Sequence, residues 1–141
     1  MDARVLGLVP ILEAAGPEMD RSETVTFLND LALFAPARLL ELDLEWIARS
    51  SRRVDIRWQH LGHTVEAELH FDGLEDFRSD DRLGSTDHGF ETARWRTPVR
   101  SRRPTSPGLL LPREAEAWWN TDAGSWCYAR FTVLDVETWN P

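Results

Sequence analysis

Two short charged strings carry the residue types that can do chemistry. The first is Arg78-Ser79-Asp80-Asp81-Arg82. Strict alternation along a strand puts Arg78, Asp80 and Arg82 on one face and Asp81 on the other. Two guanidiniums flanking a carboxylate suit bidentate binding of a carboxylate or phosphate. Asp80 and Asp81 are hard-cation ligands by type, but strand neighbours point apart. The plainer reading is favoured: an Arg–Asp ladder that fixes strand register. The second string is Glu114-Ala115-Glu116-Ala117-Trp118. Here Glu114, Glu116 and Trp118 share one face. Carboxylates two residues apart on a strand lie roughly 7 Å apart. That spacing suits water-mediated acid–base work on a sugar. It equally suits pairing with arginines on the next strand, with Arg94, Arg96 and Arg130 as partners, and pairing is favoured.

Other reactive types are sparser. His60 and His63 bracket Leu61-Gly62, so their rings lie near each other on one face. Two imidazoles can begin a zinc or nickel site. His88 or Asp87 would have to complete it from a loop, so an exposed hairpin tip is favoured and no metal is assigned. Arg94, Arg96, Arg100, Arg102 and Arg103 cluster around Trp95, a basic–aromatic mix of the kind that binds nucleic acid. The net charge of −8 opposes that partner, and a solvated loop that pairs with the acidic N-terminal part is favoured. The single cysteine, Cys127, forms no internal disulfide and reads as a buried, inert thiol within a strand. Ser79, Ser101, Ser106 and Ser125 lack a nucleophile elbow, and no Gly-rich phosphate loop occurs. No residue is assigned a catalytic role, and no cofactor is implied.

The elements that position these residues are mostly strands. Val65, Ala67, Leu69 and Phe71 alternate with Thr64, Glu66, Glu68 and His70, one dry face and one wet. Leu61-Gly62 before them and Asp72-Gly73 after them read as two-residue hairpin turns. Residues 4–14 are apolar on both faces and read as one covered strand, with Pro10 forcing an edge or a bulge. Asp20 and Glu23 have the spacing of a capping box. A helix from there to about Phe34 carries Val25, Leu28, Leu31 and Ala32 on one stripe, with Phe27 and Phe34 beside it. Pro36 ends it, and 37–42 form one more helical turn. Strands are predicted at 44–49, 53–60, 63–71, 74–80, 91–97, 110–119 and 126–139. Loops are predicted at 83–90 and 100–108, and a turn at 120–124. The fold class is therefore α+β. A strongly curved antiparallel sheet of six to eight strands, a half-barrel-like meander, packs on one main helix.

Length and composition agree with one domain over residues 1–141. Hydrophobic residues at 42% and charged residues at 28% are ordinary for a globular chain. All 16 basic residues are arginine. No apolar run approaches the ~20 residues of a membrane span, and the N-terminus does not read as a signal peptide. The expected location is cytoplasmic.

Several strings carry a resemblance. GPEMDRSETVTFLNDLALFAPARLL at 16–40 is followed by FRSDDR, RWRTPV, EAEAW and YARF. Together they resemble a family of bacterial proteins known only as a domain of unknown function. The resemblance implies a shape similar to the half-barrel of bacterial lipoprotein carriers, a curved sheet wrapped on helices around an apolar cavity. Similar proteins are longer, with another strand-rich half ahead of this segment. The chain then matches the C-terminal half, and the strand at 4–14 becomes a raw sheet edge. Pairing of that edge implies a homodimer. The Arg/Pro-rich stretch 100–108 departs from an expected aromatic hairpin and alters the rim there.

Three functions compete. The first is a non-enzymatic module that holds a lipid-like, hydrophobic or amphipathic molecule. Its concave face is lined by Trp46, Trp58, Trp95, Trp118 or Trp119, with Arg78 and Arg82 at the rim for a head group. The ligand-binding set on this reading is Arg78, Asp80, Asp81, Arg82, Trp95, Glu114, Glu116 and Trp118. The second is an interaction protein that joins partners by its sheet edge. The third is an enzyme using Asp80, Asp81, Glu114 and Glu116, which requires at least two of them to converge in one cleft with shifted pKa values.

Overall fold

A computed structural model describes residues 2–5, 9–13, 16–72, 76–86, 89–104 and 108–135, with the backbone alone at 2–5, 9–13, 85, 86 and 89. Two short strands, β1 (Asp2–Val5) and β2 (Val9–Glu13), come first. Helix α1 (Pro17–Phe34) and a 3-10 helix (Pro36–Glu41) follow. Seven strands follow among the described residues. They are β3 (Leu44–Ser50), β4 (Arg53–His60), β5 (His63–His70), β6 (Asp76–Thr86), β7 (Gly89–Pro104), β8 (Leu110–Thr121) and β9 (Gly124–Thr132). These seven form one open antiparallel sheet in sequence order, with β3 and β9 as its edges. The α+β class and the curved half-barrel on one main helix are as the alternation implied.

The helix begins differently from its sequence signal. Asp20 does not cap it. Gly16 is the cap residue, at φ 111° and without a side-chain bond, and Pro17 opens the first turn. Proline suits that position because its missing N–H would have no partner there. Glu18 and Asp20 then lie in the first turn, where the helix dipole favours acids. Val25 and Leu28 are fully buried and pack with Ile56, Trp58, Val65 and Phe77 of the sheet. Each such side chain contributes roughly 1.5–3 kcal/mol of burial. Phe27 and Phe34 remain exposed.

Polar contacts locate the helix as well. The Ser22 hydroxyl accepts from Arg82 Nη1 at 2.6 Å and from the Leu83 backbone N–H at 3.0 Å. The Thr97 hydroxyl donates to Asn29 Oδ1. Ser22, Asn29 and Thr97 are all buried, so each bond also removes a desolvation penalty.

Several strand expectations need correction. Residues 4–14 do not form one strand. The chain reverses, and β1 pairs with β2 in a separate two-stranded sheet, with a register shift beside Pro10. Proline has no N–H for a regular ladder, so pairing is irregular there. Residues 83–86 belong to β6, not to a loop. Leu83 packs with Met19 of α1, and its N–H is taken by Ser22, which holds a Gly/Ser/Thr-rich string in a strand. Nor does Pro98 end β7. It pairs with Asp76 at the last β6–β7 pair, and beyond it β7 continues beside β8 alone. Arg100 to Arg103 therefore lie in a strand, while 105–107 are outside the described residues. β9 ends at Thr132, short of the expected 139, and 136–141 are likewise outside.

The Leu61-Gly62 turn is as expected, with φ 49° and 83° in the left-handed region that such a hairpin demands. The turn expected at Asp72-Gly73 lies partly outside the described residues.

Candidate functional site

Alternation divides the sheet into an inner face packed on α1 and an outer face of charge. On the outer face Glu68 is a hub. It meets His70 Nε2 at 2.7 Å, Arg94 Nη2 at 2.9 Å and Arg53 Nη2 at 3.4 Å. Burial raises its pKa, but the His70 contact and the Arg94 charge outweigh that and hold it below the usual carboxylate range. Asp55 is held low in the same way, first by its bond to Arg53 and also by Arg49. A hollow of about 470 Å³ opens over this face and includes Arg53, Asp55, Glu66, Glu68, Arg78 and Asp80 in its lining. Most of its charges are paired with neighbouring side chains.

The SDDR string meets this hollow but does not alternate. Ser79 pairs with Trp95 and Arg82 with Ala93, so one extra residue is accommodated at Asp80-Asp81. Such a bulge flips the facing of everything after it. Arg78 stays on the outer face, bound to Asp76 at 2.7 Å. Arg82 turns to the inner face, with its guanidinium 5.3 Å over the Trp95 ring and bonded to Ser22. The two arginines therefore do not share a rim. Asp80 pairs with Arg94 at 3.0 Å. Asp81 Oδ2 accepts the Glu66 N–H at 2.9 Å, and Ser79 Oγ donates to the Glu66 carbonyl at 2.6 Å. The β5–β6 ladder has already stopped at Glu68–Arg78, so these two side chains stand in for a missing strand partner.

Glu114, Glu116 and Trp118 of the EAEAW string lie on the outer face of β8, and Ala115 and Ala117 are buried on the inner one. Glu116 takes Arg100 at 2.6 Å, the Trp118 indole N–H at 2.8 Å and Arg130 at 3.2 Å. Those bonds, Arg100's first, hold its pKa down to about 2. A carboxylate so bound stays ionised near neutrality and has no proton to donate. Glu114 accepts from the Ser101 hydroxyl instead. Trp118 carries the Arg96 guanidinium 5.2 Å above its ring. Asp80 and Asp81 both line the outer hollow, Glu114 and Glu116 are not among its lining residues, and each of the four carboxylates has its own partner. Of the expected arginines, Arg130 reaches Glu116, whereas Arg94 and Arg96 turn to Glu68, Asp80 and Asp76.

On the inner face Trp58 and Trp95 are core residues, 6% and 3% exposed. Trp95 donates its indole N–H to Tyr128 at 2.9 Å, and Trp119 stacks on Tyr128. The expected lining by Trp58 and Trp95 is thus filled by helix and neighbouring rings. The unfilled part of this face lies elsewhere, between the C-terminal end of α1, the 3-10 helix and the sheet. There a groove of about 190 Å³ is walled by Leu33, Leu39, Leu69 and Phe77. Trp46 and Phe71 also line it, 42% and 45% exposed. His70, Asp76 and Arg102 are its ionisable residues. Burial pushes the Arg102 guanidinium pKa down, and its Nη1 donates to the Leu110 carbonyl at 2.8 Å. Phe71 and Arg102 were not singled out as ligand residues. The only signal for them was an aromatic at a strand end and one arginine among several in a Pro-rich string.

His60 stacks on Trp58 at 4.1 Å, which uses its ring for packing. Asp87 and His88 lie outside the described residues. Among the described residues no cluster of three or more His, Cys, Asp or Glu is placed to hold a metal ion. Cys127 is half-buried, with its thiol directed at the Ala129 carbonyl. No helix among the described residues is long and apolar enough to cross a membrane.

Comparison with known families gives one match, to a family of unknown function, DUF6544, over residues 1–131. The chain belongs to DUF6544. No curated protein and no solved structure matches it. DUF6544 membership assigns no activity, so function rests on the geometry above.

Proposed function

We propose that this DUF6544 protein is a non-enzymatic module that binds a small hydrophobic or amphipathic molecule. The observation that carries the reading is the groove beside the 3-10 helix. It is apolar, it is not closed by the helix, and two of its aromatic side chains, Trp46 and Phe71, remain nearly half exposed. Concave apolar sites with a few polar groups are the usual form of small-molecule sites. The hollow on the outer face is larger, but its lining is mostly charged, and most of those charges are paired with neighbouring side chains. The carrier-like half-barrel that the sequence resemblance implies supports the reading by analogy only. A volume of 190 Å³ corresponds to roughly six waters at ~30 Å³ each, so the groove takes part of a ligand and the aromatic lips cover the rest.

A neutral fluorescent probe, N-phenyl-1-naphthylamine, tests this. Wild-type protein should enhance its emission. Ala32→Phe, which fills the groove from α1, should weaken binding at least about tenfold, or 1.4 kcal/mol. Equal binding by the two proteins, with both folded, would overturn the reading.

A second reading has its own observation. The β9 edge carries Trp126 and Tyr128, 46% and 48% exposed, and Arg130 as its one charged residue. Edges without blunting charges or proline favour pairing with another strand. On that reading a homodimer forms through β9 and not through residues 4–14. Sedimentation velocity should then show mass rising with concentration, and Tyr128→Lys should abolish the rise. A concentration-independent monomer would remove it.

A further inference from the structure

The hairpin tip between β4 and β5 carries two imidazoles that the groove does not use. His60 and His63 are directly opposed across the Leu61-Gly62 turn, as the last pair of the β4–β5 ladder. Opposed residues of an antiparallel pair share one face, with Cβ atoms roughly 4.5–5.5 Å apart. The turn holds that register, since both of its residues take left-handed φ values. Both histidines are half-buried, and both line a shallow hollow of about 270 Å³ at the tip. Among the described residues neither ring is hydrogen-bonded or ion-paired. His60 lies over Trp58, with 4.1 Å between ring centres and 15° between planes. Such a stack occupies a ring face, whereas the nitrogens sit on the ring edge. It therefore fixes the plane of His60 and leaves its nitrogens available. Trp58 is itself buried and stacked against Phe27 of α1.

We propose that His60 and His63 form a two-imidazole site for a borderline divalent ion of the Zn²⁺ type, with the other coordination positions left to water or to a donor from another molecule. Imidazole suits zinc, copper and nickel, whereas calcium and magnesium take oxygen ligands. Zn–N bonds of about 2.0–2.1 Å put two nitrogens roughly 3–3.5 Å apart around the ion. Rings on opposed Cβ atoms reach that separation by side-chain rotation alone. The stack on Trp58 orders one ring in advance, so binding has little to order beyond His63. The net charge of −8 favours the approach of a dication. Two protein ligands leave the ion open, unlike a four-ligand structural zinc site. The site is separate from the groove, and neither reading depends on the other.

Zn²⁺ titrated into the full chain without an affinity tag, and followed by the histidine ring nitrogen resonances, tests the site. The His60 and His63 rings should shift together along one saturable curve, while His70, bonded to Glu68, stays unmoved. Mg²⁺ should move neither ring. His63→Asn and His60→Asn should each weaken Zn²⁺ binding at least about tenfold, because one imidazole holds the ion less tightly than two. The backbone amide spectrum of each variant shows that it is folded, and the wild-type titration decides the matter without either. No ring shift in excess Zn²⁺ would overturn the site. Rings that shift with separate midpoints, or folded single variants that bind as tightly as wild type, would overturn it too, since the histidines would then act independently. An equal response to Mg²⁺ would overturn the assigned class of ion.

Discussion

Glu116 shows how a single side chain can look catalytic in a sequence and prove structural in a fold. Its spacing from Glu114 suited a carboxylate pair, and its wish for arginine partners was equally legible. What was not legible is that Arg100 would be the main one, because the stretch from 100 onward read as a loop. The pKa held down to about 2 from 4.5 has a defined consequence for stability. A depressed carboxylate stabilises the fold above its unfolded pKa, and that contribution fades as pH falls through the window from about 4.5 to about 2. Glu116→Gln should therefore be less stable than wild type near neutrality in urea unfolding. The gap should close progressively through that acid window. A gap that is independent of pH would mean that the ion pairs on Glu116 contribute nothing. Its partners Arg100 and Arg130 are largely exposed, so solvent screening keeps the effect small.

Among the elements, strand existence was legible and strand extent was not. Alternation over 63–70 declared one wet and one dry face, and the structure has both. The Gly/Ser/Thr-rich string at 83–86 looked like a loop because its composition favours turns. It is a strand because Leu83 and Ser22 meet across 61 residues of sequence. Local composition carries no trace of such a contact. The bulge at Asp80-Asp81 was hidden for a similar reason. Nothing in SDDR says that the β5 ladder stops early and that Ser79 and Asp81 must take its place. That seam makes a prediction. The double variant Ser79→Ala, Asp81→Ala leaves the Glu66 N–H and carbonyl without these partners. It should lose roughly 1–3 kcal/mol. Hydrogen exchange should quicken at Glu66 while the β7–β8 amides keep their protection. Uniform loss of protection across the sheet would show that the seam has no separate stability.

For the molecule as a whole, the curved sheet on one helix could be inferred because period-two strings and one amphipathic string leave few alternatives. The position of a ligand site could not. Seven tryptophans suggested an aromatic-lined cavity, but indoles serve equally as core, and Trp58 and Trp95 do so here. Only the packing of α1 decides which aromatics are covered and which, like Trp46, are left at a lip. The order of the seven strands has a last consequence, for the way the chain assembles. Every strand of the large sheet pairs with its neighbour in sequence, so each hairpin can close over a short loop at little entropic cost. The bonds that seat the helix span 60, 61 and 68 residues. The slow, entropy-limited event in folding is thus the docking of α1 onto a sheet able to zip up beforehand.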